Sequence, residues 1–196
     1  QQHGVDITTE ILRGKVAETI LDYAQKHSMD LIITGNRGHG TLKQLLVGSV
    51  TRHLVSLSKL PVLVVKNCPV VEYAGGSQIM APLRKILVAY DGAAHSQESL
   101  AWALEMAKPV NAQITVLKVR EPIEWSLAYG ISETASPSTV AAKLQEMEDA
   151  ETAMMAKAKE IGEKQGMVVN TLILDGNAAE ILTEYAQKHG FDLVVA

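Results

Sequence analysis

Cysteine is nearly absent. The 196-residue chain has only Cys68, which excludes an internal disulfide and any zinc site built from several cysteines and agrees with a reducing compartment. Aromatic residues make up 4%, with Phe191 the one phenylalanine, so rows of rings that stack single-stranded bases are excluded. Excess positive charge is also missing. Eighteen Lys and Arg stand against 22 Asp and Glu, a net charge of −4, opposite in sign to the usual nucleic-acid binder. No run reaches the roughly 18 apolar residues of a membrane helix. The nearest approach, Leu60-Pro61-Val62-Leu63-Val64-Val65, has the length of a strand and is bracketed by Lys59 and Lys66. Gln1-Gln2-His3 lacks the basic and apolar stretches of a signal peptide. A cytoplasmic protein with neither a nucleic-acid nor a membrane partner is therefore expected. What the chain does have is apolar content: 47% hydrophobic and 20% charged residues, enough to bury a core and to exclude disorder.

A repeat organises the chain. Gly14-Lys15-Val16-Ala17-Glu18, then Tyr23-Ala24-Gln25-Lys26-His27 and Asp30-Leu31, return as Gly176-Asn177-Ala178-Ala179-Glu180, Tyr185-Ala186-Gln187-Lys188-His189 and Asp192-Leu193. The offset is 162 positions throughout, and 10 of the 21 residues from Gly14 to Thr34 are identical in the second copy. A shared helix pattern would not keep Ala-Gln-Lys-His and its following Asp in register, so the repeat reads as a duplication. Residues 35–66 have no counterpart after Ala196, and 84–168 have none before Gln1. The order reads as the back of one copy followed by the front of the next, a truncated tandem protein, with a natural permuted arrangement as the alternative. The expected organisation is 1–66 as the rear part of a first domain, 67–83 as a linker rich in Pro and Gly, and 84–196 as the front part of a second.

Periodicity supplies the elements. Val5 to Leu12 reads as a strand, Lys15 to His27 as a helix and Leu31 to Ile33 as a strand buried on both faces. Gly35 to Thr41 is a turn, Leu42 to Ser58 a helix with a restart near Gly48 as its alternative start, and Val62 to Val65 a strand. In the second part, Lys85 to Tyr90 is a strand ending at Asp91-Gly92. Ser96 is placed to cap a helix running to Lys108. Gln113 to Val119 is a strand, and 122–137 a loop holding Trp125 and Tyr129. Ser138 to Gln165 is a long charged helix, followed by a strand from Val168 to Leu174, a helix from Ala178 to His189 and a strand from Leu193 to Val195. Strands alternating with helices at this spacing predict a parallel, three-layer α/β sheet, with ligands beyond the carboxyl ends of its strands.

The segment with chemistry in it is Gly35-Asn36-Arg37-Gly38-His39-Gly40-Thr41-Leu42-Lys43-Gln44-Leu45-Leu46-Val47-Gly48-Ser49, a Gly-x2-Gly-x9-Gly-Ser pattern after a strand. Gly35 and Gly38 let backbone N–H groups approach an anion. Gly48-Ser49 at a helix start would add unpaired N–H groups, a hydroxyl and the positive end of the helix dipole. The pattern is neither the Walker sequence nor the dinucleotide fingerprint. It resembles the universal stress protein (UspA-type) family, whose ATP-binding members carry this motif after the fourth strand. Lys85-Ile86-Leu87-Val88-Ala89-Tyr90-Asp91-Gly92 is similar to the family's first strand, and Ser49-Val50-Thr51 leading to Leu60-Pro61-Val62-Leu63-Val64-Val65 to its fourth helix and fifth strand.

The resemblance implies an open, parallel, five-stranded Rossmann-like sheet of the adenine nucleotide α-hydrolase-like type, with helices on both faces. It implies ATP, with or without Mg2+, held by Gly35, Gly38, Gly48, Ser49 and the backbone of Val50. Asp91 would lie at the ribose or adenine, and Val119 would line the adenine pocket. It further implies self-association through the fifth strand, between tandem domains or in a homodimer. Asp91 and the glycine motif belong to different copies, so in an intact tandem protein they would serve different sites. No catalytic base or Walker lysine is visible, and Ser49 has no base beside it, so a sensor or regulator that is not an enzyme is expected. The alternatives are an interaction module of the same fold without nucleotide, and, from the enzyme class, an ATP pyrophosphatase or electron-transferring flavoprotein, whose phosphate loops are absent. His27 and His189 end helices, where a cation is favourable, and His53 and His95 lack partners at metal-ligand spacing.

Overall fold

The computed structural model describes residues 6–36, 48–66, 70–72, 78–80, 82–121 and 136–196. The chain divides into two compact units, 1–81 and 82–196. In the first unit, α1 (Val16–Lys26) leads to β1 (Ile32–Gly35), and α2 (Ser49–Leu57) leads to β2 (Val62–Val65). The two strands pair in parallel, Ile32 opposite Val62 through Gly35 opposite Val65. Ala24 of α1, Ile32 of β1 and Leu54 of α2 are buried together, with Ile20, Leu21, Val50 and Val62 packed around them. β3 (Val70–Glu72) and β4 (Gln78–Met80) form an antiparallel pair within the stretch read as linker.

The second unit holds β5 (Lys85–Ala89), α3 (Ala94–Ala107), a 3-10 turn at Lys108–Val110, β6 (Gln113–Arg120), α4 (Pro137–Lys164), β7 (Val169–Asp175), α5 (Ala178–His189) and β8 (Leu193–Val195). Its four strands run parallel in the order β7-β6-β5-β8. Alternation along the strands sends side chains to two faces. Ile86, Val88, Ile114 and Val116 pack with Leu100, Leu104, Met155 and Ala158 of α3 and α4. Leu87 and Leu117 pack with Ala186, Leu182 and Tyr185 of α5. This is the three-layer α/β arrangement, and the sheet order reverses between β5 and β8.

The two repeated stretches share local geometry. Gly14 and Gly176 share φ +145°, and a Cβ on either would strike the side chain five residues on, Thr19 or Ile181. Tyr23 stacks on His27 and Tyr185 on His189 at the same 4.2 Å. The N–H of Met29 donates to Ala24 O, and that of Phe191 to Ala186 O, both at 2.9 Å.

Several expectations are corrected. Residues 6–12 form no strand, and Ile7 and Ile11 are 82% and 96% exposed. β-branched residues favour a strand only where a neighbour pairs with it, and among the described residues nothing pairs here. The helix expected from Leu42 begins at Ser49, which is the restart read as its alternative; residues 42–47 lie outside the described residues. Ser96 is not the N-cap of α3. Ala93 holds that position, and Ser96, one turn in, donates its hydroxyl to Ala93 O at 3.0 Å. Among the described residues the strands form a four-stranded parallel sheet in the second unit and the β1–β2 and β3–β4 pairs in the first, in keeping with the parallel α/β fold expected. Trp125 and Tyr129 lie outside the described residues.

Candidate functional site

In the first unit, backbone pairing draws the two ends of the glycine motif together. Asn36 N–H donates to Val65 O at 2.9 Å, and Gly48 N–H donates to Asn36 O at 3.0 Å. The Thr51 hydroxyl, 3% exposed with its residue, donates to Gly35 O at 2.8 Å and pins the first turn of α2 to the end of β1. Gly48 is the N-cap of α2 and supplies no side-chain cap. The amides of Ser49, Val50 and Thr51 therefore have no partner within the helix, and the positive end of its dipole is uncompensated. Beside them, Asn36 Oδ1 is buried without a hydrogen-bond partner among the described residues. Gly35, Gly48, Ser49 and Val50 are thus brought to one place. Gly38 lies outside the described residues.

In the second unit a cleft of about 900 Å³ lies over the carboxyl ends of the strands, between α3, α4 and α5. Asp91 and Val119 both line it. Asp91 follows β5 and accepts the Ala93 N–H at 2.9 Å. The Ser96 hydroxyl, then the Ala93 N–H, hold its carboxyl below the ordinary range, and the charge of Lys118 acts in the same direction. Gly92, at φ +81°, turns the chain, and a Cβ there would meet Met154 Sδ of α4 at 2.8 Å. Gln97 Nε2 donates to Gly92 O at 2.8 Å and holds the same turn. Val119 lies on the opposite face, against the cluster of Leu87, Leu117 and Ala186.

Other residues of the cleft were not singled out from the sequence. Tyr90 is 3% exposed, and among the described residues its buried hydroxyl has no partner. Burial, and then the Asp91 charge, push its pKa up. Arg120 fastens the wall: Nε and Nη2 donate to the two oxygens of Glu151 on α4 at 3.2 and 2.7 Å, and Nη1 lies 3.3 Å from Asp175. The alternation of β6 puts Lys118 and Arg120 on one face, a pattern present in the sequence; their acidic partners are distant in the chain and could not be paired from it. The N-terminus of α5 also faces the cleft through Ala178, but its donors are taken. Asn177 Oδ1 accepts from Ala179 and Glu180 N–H, and Glu121 Oε1 accepts from Ala178 N–H. Among the described residues no cluster of three or more His, Cys, Asp or Glu side chains is arranged to hold a metal, and no helix is long and apolar enough to cross a membrane.

The Universal stress protein family profile matches residues 1–66 and 82–196. The chain belongs to the universal stress protein family. Among curated members, it is 46% identical over 66 residues to the stress response protein NhaX of Bacillus subtilis, covering 34% of this chain and 39% of that protein. It is 41% identical over 67 residues to universal stress protein MJ0531 of Methanocaldococcus jannaschii, covering 34% and 39%. The chain therefore spans about two-fifths of the length of the curated relatives it matches. A universal stress protein structure from Archaeoglobus fulgidus superimposes with a TM-score of 0.58 at 21% identity, over 91% of this chain and 53% of that one. At this identity the likeness speaks for the universal stress protein fold alone.

Proposed function

We propose that this universal stress protein binds ATP and acts as a nucleotide-responsive regulator of the stress response rather than as an enzyme. The observation that carries the reading is the uncapped N-terminus of α2 at the closed neck of the glycine motif. A helix start whose first three N–H groups have no partner within the helix is an anion site in physical terms, and Asn36 Oδ1, unpaired among the described residues, is an acceptor that a donor on the ligand or its hydration can satisfy. Gly35, Gly48, Ser49 and the Val50 backbone would hold phosphate, with Gly38 completing the motif. In the second unit Asp91 and Val119 would hold the ribose and adenine of a nucleotide whose phosphates are bound by an equivalent motif. A triphosphate supplies charge that Mg2+ can offset, so the nucleotide is expected as ATP with or without that ion. Self-association through β2 is part of the same proposal, since β2 pairs only with β1 among the described residues and its other edge carries unpaired backbone groups.

Calorimetry of the full chain with Mg-ATP tests the reading. Gly48 has φ −55° and ψ 148°, a conformation open to any residue, so Gly48→Val strains no backbone there while placing a side chain at the helix start. Triphosphate-dependent binding that Gly48→Val weakens is the expected result. A ligand at 1,000 times its dissociation constant adds about 4 kcal/mol to stability, so a melting shift should accompany it. A folded chain that binds no ATP, or a Gly48→Val chain that binds it equally well, would refute the assignment and favour an interaction module without nucleotide.

A further inference from the structure

Asp91 and Lys118 stand side by side at the carboxyl end of the second unit's sheet and do not pair. β5 and β6 are parallel with Ala89 opposite Leu117, and Tyr90 N–H donates to Leu117 O at 3.0 Å. The turn that carries Asp91 is thereby held beside Lys118. Both residues line the cleft, and the Lys118 charge is felt at the Asp91 carboxyl. Yet no ion pair joins them, and among the described residues Lys118 has no hydrogen-bonded partner. Arg120, two residues on along the same face, is taken up by Glu151 and Asp175. Asp91 accepts the Ala93 N–H at 2.9 Å, which fixes the direction of its carboxyl without exhausting its roughly four acceptor sites. The α5 side of the cleft has another character. Val119 and Leu182 pack there with Leu87 and Leu117, and the first N–H groups of α5 are taken by Asn177 and Glu121. An apolar wall beside a capped helix start and a carboxylate suits an uncharged ring better than a phosphate.

We propose that Lys118 is a specificity-determining residue of the cleft: with Asp91 it brackets the vicinal diol of a ribose, so that the cleft takes ribonucleosides in preference to deoxyribonucleosides. The inference rests on the nucleotide reading of the cleft and adds the sugar it selects. A carboxylate only accepts hydrogen bonds and an ammonium only donates them, whereas a hydroxyl does both. Two hydroxyls on neighbouring carbons can therefore bridge the pair. One donates to Asp91, and the oxygen of the other accepts from Lys118. The base then lies against Val119 and Leu182 on the α5 side. A deoxyribose leaves one of the two charged groups unmatched inside the cleft, and a site built to hydrogen-bond a hydroxyl rejects the analogue that lacks it.

The test uses the isotopically labelled full chain with adenosine, 2′-deoxyadenosine and 3′-deoxyadenosine at millimolar concentration, followed by NMR at the amides of Asp91, Lys118 and Val119. Nucleosides carry no phosphate, so the measurement reads the cleft and not the glycine motif. Adenosine is expected to shift all three signals. Each deoxynucleoside is expected to bind about tenfold more weakly, the loss of one hydrogen bond to a charged group. Lys118→Met keeps an unbranched side chain and removes the ammonium. It should bring one of the two ratios close to one and leave the other in place, because only one hydroxyl meets Lys118. The wild-type ratios decide the sugar preference whether or not that variant folds. Equal binding of all three nucleosides would overturn the proposal and leave the nucleotide reading standing. A Lys118→Met chain that keeps both ratios would overturn the assignment to Lys118. Failure of all three to shift the cleft amides would overturn the nucleotide reading of the cleft, and this inference with it.

Discussion

The two copies of the repeat differ at one helix start, and the difference can be exchanged. Asn177 caps α5 through two hydrogen bonds, from the N–H of Ala179 at 3.1 Å and of Glu180 at 3.2 Å. At the same place Lys15 gives α1 no side-chain cap. The chain enters both helices alike, through a glycine at φ +145°, so Lys15→Asn should place an amide where Asn177 has its own. An N-cap of this kind is worth about 1 kcal/mol. Removing a cation from a helix N-terminus adds roughly 0.3 kcal/mol. Against this stands the loss of the Lys15–Glu18 ion pair, whose side chains are 82% and 58% exposed and which is therefore worth no more than about 0.5 kcal/mol. The net gain is about 1 kcal/mol, equivalent to a rise of roughly 5 °C in the melting temperature of a unit of this size. Hydrogen exchange of the α1 amides and chemical denaturation would read it. The reciprocal Asn177→Lys should cost about 1 kcal/mol in the second unit, while Glu121 keeps the Ala178 N–H. If Lys15→Asn leaves exchange in α1 unchanged or faster, the argument that equal backbone entry makes the caps transferable is wrong.

Three further predictions follow from the site and the repeat. Ser28 at φ +50° stands where the second copy has Gly190 at φ +64°, so Ser28→Gly should raise stability by about 0.5–1 kcal/mol by relieving a left-handed backbone, measured by urea denaturation; a loss of stability would count against it. Gly92→Ala should cost about 1–3 kcal/mol, because the turn needs positive φ and the new Cβ would meet Met154 Sδ at 2.8 Å; an NMR spectrum unchanged around Asp91 would contradict this. The Asp91 carboxyl, held low by Ser96 and then Ala93, contributes stability that is present above the unfolded carboxylate range near pH 4 and is lost as pH falls through its own lower value. Wild type should therefore exceed Asp91→Asn in stability at pH 6, and the gap should close in acid; a gap that widens on acidification would reverse the sign.

The sequence by itself determined the repeat, most of the helices and strands, and the family. Those rest on local physics: hydrophobic period, glycine at turns, and residues whose spacing survives in both copies. It misplaced what depends on neighbours. Residues 6–12 have the composition of a strand and, among the described residues, no strand to pair with. Ser96 has the composition of a cap, but the chain turns through Gly92 and starts α3 three residues earlier, leaving Ser96 to brace Ala93 and Asp91. The grip of Arg120 on Glu151 and Asp175 joins residues 31 and 55 positions away and is set only when α4 lies across β6 and β7. Local propensity acts through the chain's immediate neighbours, whereas burial and ion pairing act through space, and for this protein the second kind decides which polar groups and apolar faces remain for a ligand or a partner.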